Sequence, residues 1–89
     1  MTSVHPITEF STKAFPNPFT DFAVIRIISH THFEGGYLRL FDLSGKEVRS
    51  TGFSGDQVKV DRGELESGVY LYEIMSEDKK AAGGKIIIL

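Results

Sequence analysis

The nearest approach to a metal-binding pattern in this chain is His30-x-His32-x-Glu34. Residues two apart on an extended strand share a face, so two imidazoles and a carboxylate could converge on one cation. The plainer reading is a solvated loop between strands, because nothing nearby supplies the groups that would orient the imidazoles. Asp21, Asp42, Asp56 and Asp61 are candidate calcium ligands in loops, but the ligand spacing of an EF-hand is absent. Asp42 before Ser44-Gly45 reads more simply as a turn carboxylate that accepts backbone amide hydrogen bonds. No metal or cofactor is expected. Ser, His and Asp all occur, yet no G-x-S-x-G elbow appears, and no glycine loop follows a strand and opens a helix. A chain this small offers no obvious concave pocket, so intrinsic catalysis is not expected.

Two other groups carry chemistry. Tyr37, Phe41, Phe53, Tyr70 and Tyr72 could form an aromatic strip that stacks on sugar rings. The plainer reading is core packing and cross-strand pairing, worth up to about 1 kcal/mol per pair. An exposed row of tyrosines would favour a carbohydrate-binding or fibronectin-like accessory module; buried ones would not. Lys85 beside Gly83-Gly84 is the one charge in an otherwise apolar final segment. Structurally it reads as a gatekeeper that limits edge pairing.

The elements that must position these residues are strands. Leu38-Arg39-Leu40 alternates, Ser44-Gly45 reads as a two-residue turn with Gly45 supplying a positive φ, and Val48 restarts the pattern. Expected strands are Glu9–Phe15, Phe22–Ser29, Tyr37–Leu43, Lys46–Phe53, Gln57–Val60, Val69–Ser76 and Ala82–Leu89. Phe22–Ser29 is the strongest, with Ala23, Ile25 and Ile27 on one face and Val24 and Ile28 partly covered on the other. Pro16-Asn17-Pro18 breaks any ladder, and Phe19 anchors that turn to the core. His30–Gly36 is a loop, and Gly52, Ser54 and Gly55 loosen the following connection. Asp61–Gly68 is a compact loop with room for one helical turn, in which Leu65 points inward. Glu77-Asp78-Lys79-Lys80 is a charged turn. About seven short strands at intervals of about ten residues predict an all-β chain, a single immunoglobulin-like antiparallel β-sandwich. The final strand, nearly all apolar, is expected to be either covered on both faces or an edge open to a partner, including a second copy of the chain.

The 89 residues make one small domain that buries about 60–65% of its unfolded surface. There is no cysteine, so neither disulfides nor thiolates support it. Net charge is −2, with three basic and four acidic residues in 1–45 and seven and eight in 46–89. Without a basic patch, nucleic acid is not an expected partner. The apolar run Ile86–Leu89 is too short to span a membrane. The opening Met1-Thr2-Ser3-Val4-His5-Pro6 lacks a basic region followed by an apolar core, so no secretory leader is read there. Residues 1–14 are expected to be a linker with the first strand at its end, and 15–89 the folded domain.

Four segments, in order, carry a resemblance: Pro16-Asn17-Pro18-Phe19, the Leu38–Val48 hairpin, Leu65-Glu66-Ser67-Gly68-Val69-Tyr70, and Gly84-Lys85-Ile86-Ile87-Ile88-Leu89. Together, from about Phe15 to Leu89, the chain resembles the type A C-terminal sorting domain of the type IX (Por) secretion system of Bacteroidetes. One departure is Leu89, where many members carry a charged or amide residue near the last position. The resemblance implies a passenger and signal peptide upstream, transit through the periplasm, and delivery by this domain to an outer-membrane translocon. It further implies removal of the domain by a surface sortase, leaving the passenger on the cell surface or outside the cell. By motif match, the residues that carry sorting are Pro16, Asn17 and Pro18; Asp42, Gly45 and Lys46; Gly68 and Tyr70; and Gly84, Lys85, Ile86, Ile87 and Ile88. Most of these are expected to shape the fold. The terminal strand is the expected recognition element, through addition to an exposed sheet edge.

Overall fold

A computed structural model of the protein describes residues 10–29 and 33–89. Alternating apolar positions and turn residues give seven strands: β1 (Phe10–Phe15), β2 (Phe22–Ser29), β3 (Gly35–Phe41), β4 (Glu47–Ser54), β5 (Gln57–Asp61), β6 (Gly68–Ser76) and β7 (Lys79–Ile88). They form a three-stranded sheet in the order β1-β2-β5 and a four-stranded sheet in the order β4-β3-β6-β7. Every pairing within the sheets is antiparallel. Two antiparallel sheets divided three and four, with strands crossing between them, are the immunoglobulin-like sandwich that the turn spacing predicted.

The core lies between the sheets. The three-stranded side contributes Ala23, Ile25, Ile27, Val58 and Val60; the four-stranded side contributes Leu38, Leu40, Tyr70, Tyr72, Ile74, Ala82, Ile86 and Ile88. Each Val, Leu or Ile among these, taken from water, contributes about 1.5–3 kcal/mol. Phe19 is buried in the same core, as its expected anchoring role requires. Phe33 joins it too, edge-on to Phe10 and stacked with Phe53. Phe33 lies in the connection before β3, as expected, but its burial was not legible, since a lone aromatic among polar residues gives no periodicity. No polar or charged side chain among the described residues is fully buried.

Several local expectations change. The link between β3 and β4 is a loop from Asp42 to Lys46, not a two-residue turn at Ser44-Gly45. A register shift at Leu40/Phe41 and the Asp42 side chain together hold this wider turn. Gly45 does take the expected left-handed backbone, at φ +92°. β4 runs on through Gly52 to Ser54, because its residues stay paired with β3. The charged turn between β6 and β7 shrinks to Glu77-Asp78, both at positive φ, and Lys79 and Lys80 pair with Ser76 and Met75. Arg62–Leu65 closes one hydrogen-bonded turn, not a helix. Val24 is half-buried, but Ile28 is 49% exposed.

Candidate functional site

Terminal strand β7 is an edge strand, one of the two outcomes expected for it, but its edge is occupied over Lys85–Leu89. Pro16-Asn17-Pro18, with both Xaa–Pro bonds cis, turns the chain so that Asn17 and Phe19 lie along this edge. The Asn17 Nδ2 donates to the Lys85 carbonyl at 3.0 Å, and the Ile87 amide donates to Asn17 Oδ1 at 3.0 Å. The Phe19 amide donates to the Ile87 carbonyl at 2.9 Å, and the Leu89 amide donates to the Phe19 carbonyl at 2.9 Å. A side-chain amide has one donor end and one acceptor end, so Asn17 can mimic a paired backbone unit. Strand addition at this stretch, by a partner or a second copy, would have to displace Asn17 and Phe19.

β7 alternates on its two faces. Ile86 and Ile88 enter the core, whereas Lys85 and Ile87 face outward. Gly84 lies directly opposite Tyr72 in the register, and the Tyr72 ring crosses its Cα. A Cβ at Gly84 would meet Tyr72 Oη at 2.5 Å, so only glycine fits beneath the ring. The same hydroxyl lies 2.6 Å from Thr12 Oγ1 and ties β1 to β6 across the sandwich.

The other motif segments are also built by local hydrogen bonding. Asp42 Oδ1 accepts from the Ser44 amide (2.9 Å), the Ser44 hydroxyl (2.6 Å) and the Lys46 amide (3.0 Å). Bonding to the charged form, from the Ser44 hydroxyl first and the Lys46 amide next, holds this carboxyl below the usual aspartate range. Gly68 opens β6 at φ +150°, and Tyr70 donates its hydroxyl to the Glu66 carbonyl at 2.7 Å. A buried tyrosine that bonds back to the backbone a few residues upstream is the tyrosine corner of immunoglobulin-like sandwiches.

Sequence reasoning missed Arg62. Its guanidinium donates to the Leu65 carbonyl (3.1 Å), the Ser67 hydroxyl (3.0 Å) and the main-chain oxygen of Leu89 (2.6 Å). One planar fork thus ties the loop before β6 to the end of β7. An arginine in a polar loop carries no signal of this in the sequence.

Asn17 and β7 come together directly. Asp42, Gly45, Gly84 and Lys85 come together on the four-stranded sheet, where with Phe41, Leu43, Leu71 and Glu73 they line a shallow groove of about 500 Å³, while Gly68 and Tyr70 lie beside Asp42 and Leu43 in a neighbouring hollow. The aromatic strip does not form. Tyr70 and Tyr72 are buried, Tyr37, Phe41 and Phe53 are half-buried, and Phe53 faces inward onto Phe33. His30 and His32 lie outside the described residues, and among those described no three His, Asp or Glu side chains converge.

Among the described residues, no helix is long and apolar enough to cross a membrane. A comparison with curated proteins finds no match. The family model for the secretion system C-terminal sorting domain matches residues 13–89, which include all four motif segments and every strand after β1. The chain belongs to this family of type IX sorting signals, found on proteins destined for the outer membrane or the exterior.

Proposed function

We propose that this domain carries an upstream passenger through the periplasm to an outer-membrane translocon of type IX secretion, and that a surface sortase then removes it. The family membership over residues 13–89 is the observation that carries this reading. The domain acts as an address read by the machinery, and its residues perform no bond chemistry themselves. Pro16, Asn17, Pro18, Gly68, Tyr70, Gly84, Ile86 and Ile88 serve by holding one shape. Asp42, Gly45 and Lys46 shape the loop beside the outward face, and Lys85 and Ile87 are the terminal-strand side chains left to be read. The segment before Phe15 is where the sortase would cut.

The test is a fusion of a signal peptide and fluorescent reporter to the whole chain in a host with type IX secretion. Reporter outside the cell or on its surface, without the domain attached, is the expected result. Retention inside the outer membrane would reject the reading. Deleting Lys85–Leu89 is a poor control, because it removes Ile86 and Ile88 from the core as well as Lys85 and Ile87 from the surface. Substitutions confined to the outward positions separate folding from recognition.

A further inference from the structure

Strand alternation gives the three-stranded sheet two unlike faces. Ala23, Ile25, Ile27, Val58 and Val60 enter the core, which leaves the alternate positions of β1, β2 and β5 outward. Of the six large apolar side chains exposed among the described residues, Phe15, Phe22 and Ile28 stand on this one outer face. Val24, half-buried, lies between Phe15 and Lys59 in the register. Exposed apolar side chains gathered on one face of a small domain mark a contact surface.

The same face is cationic. Lys13 of β1 stands directly opposite Arg26 of β2. Like charges so placed are destabilising, and an anion seated between them removes that cost. No carboxylate of a described residue lies within ion-pair distance of either cation, and Arg26 reaches only the Gln57 side-chain carbonyl, at 3.4 Å. Lys59 adds a third cation, 4.6 Å above the Phe22 ring. Asp61, 3.6 Å from Lys59, is the one carboxylate among the outward positions of these strands. The other sheet is arranged differently: its Arg39 lies between Glu47, at 2.8 Å, and Glu73, at 3.6 Å. A chain of net charge −2 thus turns one apolar and cationic face outward.

We propose that this face lies on an anionic membrane surface, with lipid phosphates between Lys13 and Arg26 and with Phe15, Phe22 and Ile28 in the headgroup layer. Three cations fall short of the cluster of about four to eight that binds anionic lipid by charge. The exposed apolar side chains supply the second attraction, as they do on amphipathic interfacial elements. A sheet face presents both kinds of side chain to one plane. It spans about 20 Å along β2 and about 10 Å across the three strands, well under the about 800 Å² that each side of a stable protein contact covers. A bilayer needs no matching outline. A second copy of the same face would add cations to cations. Proteins of this family are destined for the outer membrane or the exterior, which brings them to a membrane surface.

Sedimentation of the purified whole chain with vesicles tests this. Wild type should bind phosphatidylglycerol–phosphatidylethanolamine vesicles, lose them in high salt, and leave phosphatidylcholine vesicles unbound. Lys13→Glu/Arg26→Glu and Phe22→Ser/Ile28→Ser should each cut binding about tenfold or more. The exchange Lys13→Arg/Arg26→Lys should retain it. So should Lys79→Glu/Lys80→Glu, which makes the same change in net charge on the other sheet. Thermal unfolding within a few degrees of wild type is expected for all four, since every substituted position is exposed. No wild-type binding, or equal binding to neutral vesicles, would overturn the proposal. An equal loss on Lys79→Glu/Lys80→Glu would reduce the effect to net charge and overturn this face as the site. Unchanged binding by the serine pair would overturn its apolar half. Binding of soluble polyglutamate in preference to vesicles would assign the face to an acidic polypeptide and overturn lipid. None of these readouts uses export, so each outcome leaves the sorting reading where it stands.

Discussion

Asn17 and Ile87 stand 70 residues apart in the chain and are joined by a 3.0 Å hydrogen bond from the Ile87 amide to Asn17 Oδ1. With its other end Asn17 donates to the Lys85 carbonyl, so one side chain closes two positions on the last strand. A motif near the start of the domain and a motif at its end are thus two halves of one structural unit. An unpaired strand edge is a template for aggregation, and this contact blunts it.

Asn17→Ala should cost about 1–2 kcal/mol, from two lost hydrogen bonds that water partly replaces. Asn17→Asp keeps the acceptor for Ile87 but sets a carboxylate against the Lys85 carbonyl, so it should be at least as unstable. Amide hydrogen exchange reads this locally: the Ile87 amide should exchange faster in the alanine variant and the Leu71 amide should not.

Gly84→Ala should cost about 1–3 kcal/mol, because the new methyl overlaps the Tyr72 ring and the ring is tethered to Thr12. Thermal unfolding of the double variant checks the cause. In a Tyr72→Leu background, the added cost of Gly84→Ala should largely vanish.

Tyr70→Phe leaves the buried ring in place and removes only the bond to the Glu66 carbonyl. A loss of about 1–2 kcal/mol in chemical denaturation is expected, with an unchanged m-value. Arg62→Met should cost a similar amount. Its exchange signature should differ, appearing at Leu89 and in the Leu65–Ser67 loop that the guanidinium joins.

Asp42 sets a pH dependence. Its carboxyl titrates below the usual aspartate range in the folded chain. A depressed carboxyl adds stability that is complete above its unfolded pKa and is lost as pH falls through the folded value. Asp42→Asn should therefore destabilise the domain at neutral pH and flatten the decline in unfolding midpoint as pH falls below the ordinary aspartate range.

The Glu77-Asp78 turn holds two non-glycine residues at φ 54° and 65°. This is the backbone of a two-residue hairpin that prefers Asn-Gly. Replacing the pair by Asn-Gly should raise stability by about 0.5–1 kcal/mol in thermal unfolding.

Much of the architecture was determined by the sequence alone. Period-two alternation is a local property, so β2, β5 and β6 were legible within a residue or so, as were the burial of Ala23, Ile25 and Ile27 and the positive φ of Gly45. The family was legible because four short motifs occur in a set order. Which residues meet across the sandwich was decided only in the tertiary structure. Neither the Asn17 cover over the last strand nor the Arg62 tie to Leu89 leaves a local pattern, since each depends on chain segments brought side by side by sheet pairing. The two-residue turn at Ser44-Gly45 failed for the same reason: the register shift at Leu40/Phe41 comes from pairing with β4, and it moved the turn outward. Alternation names the faces of a strand, but only packing decides which edge is free and which outward face is left for a partner.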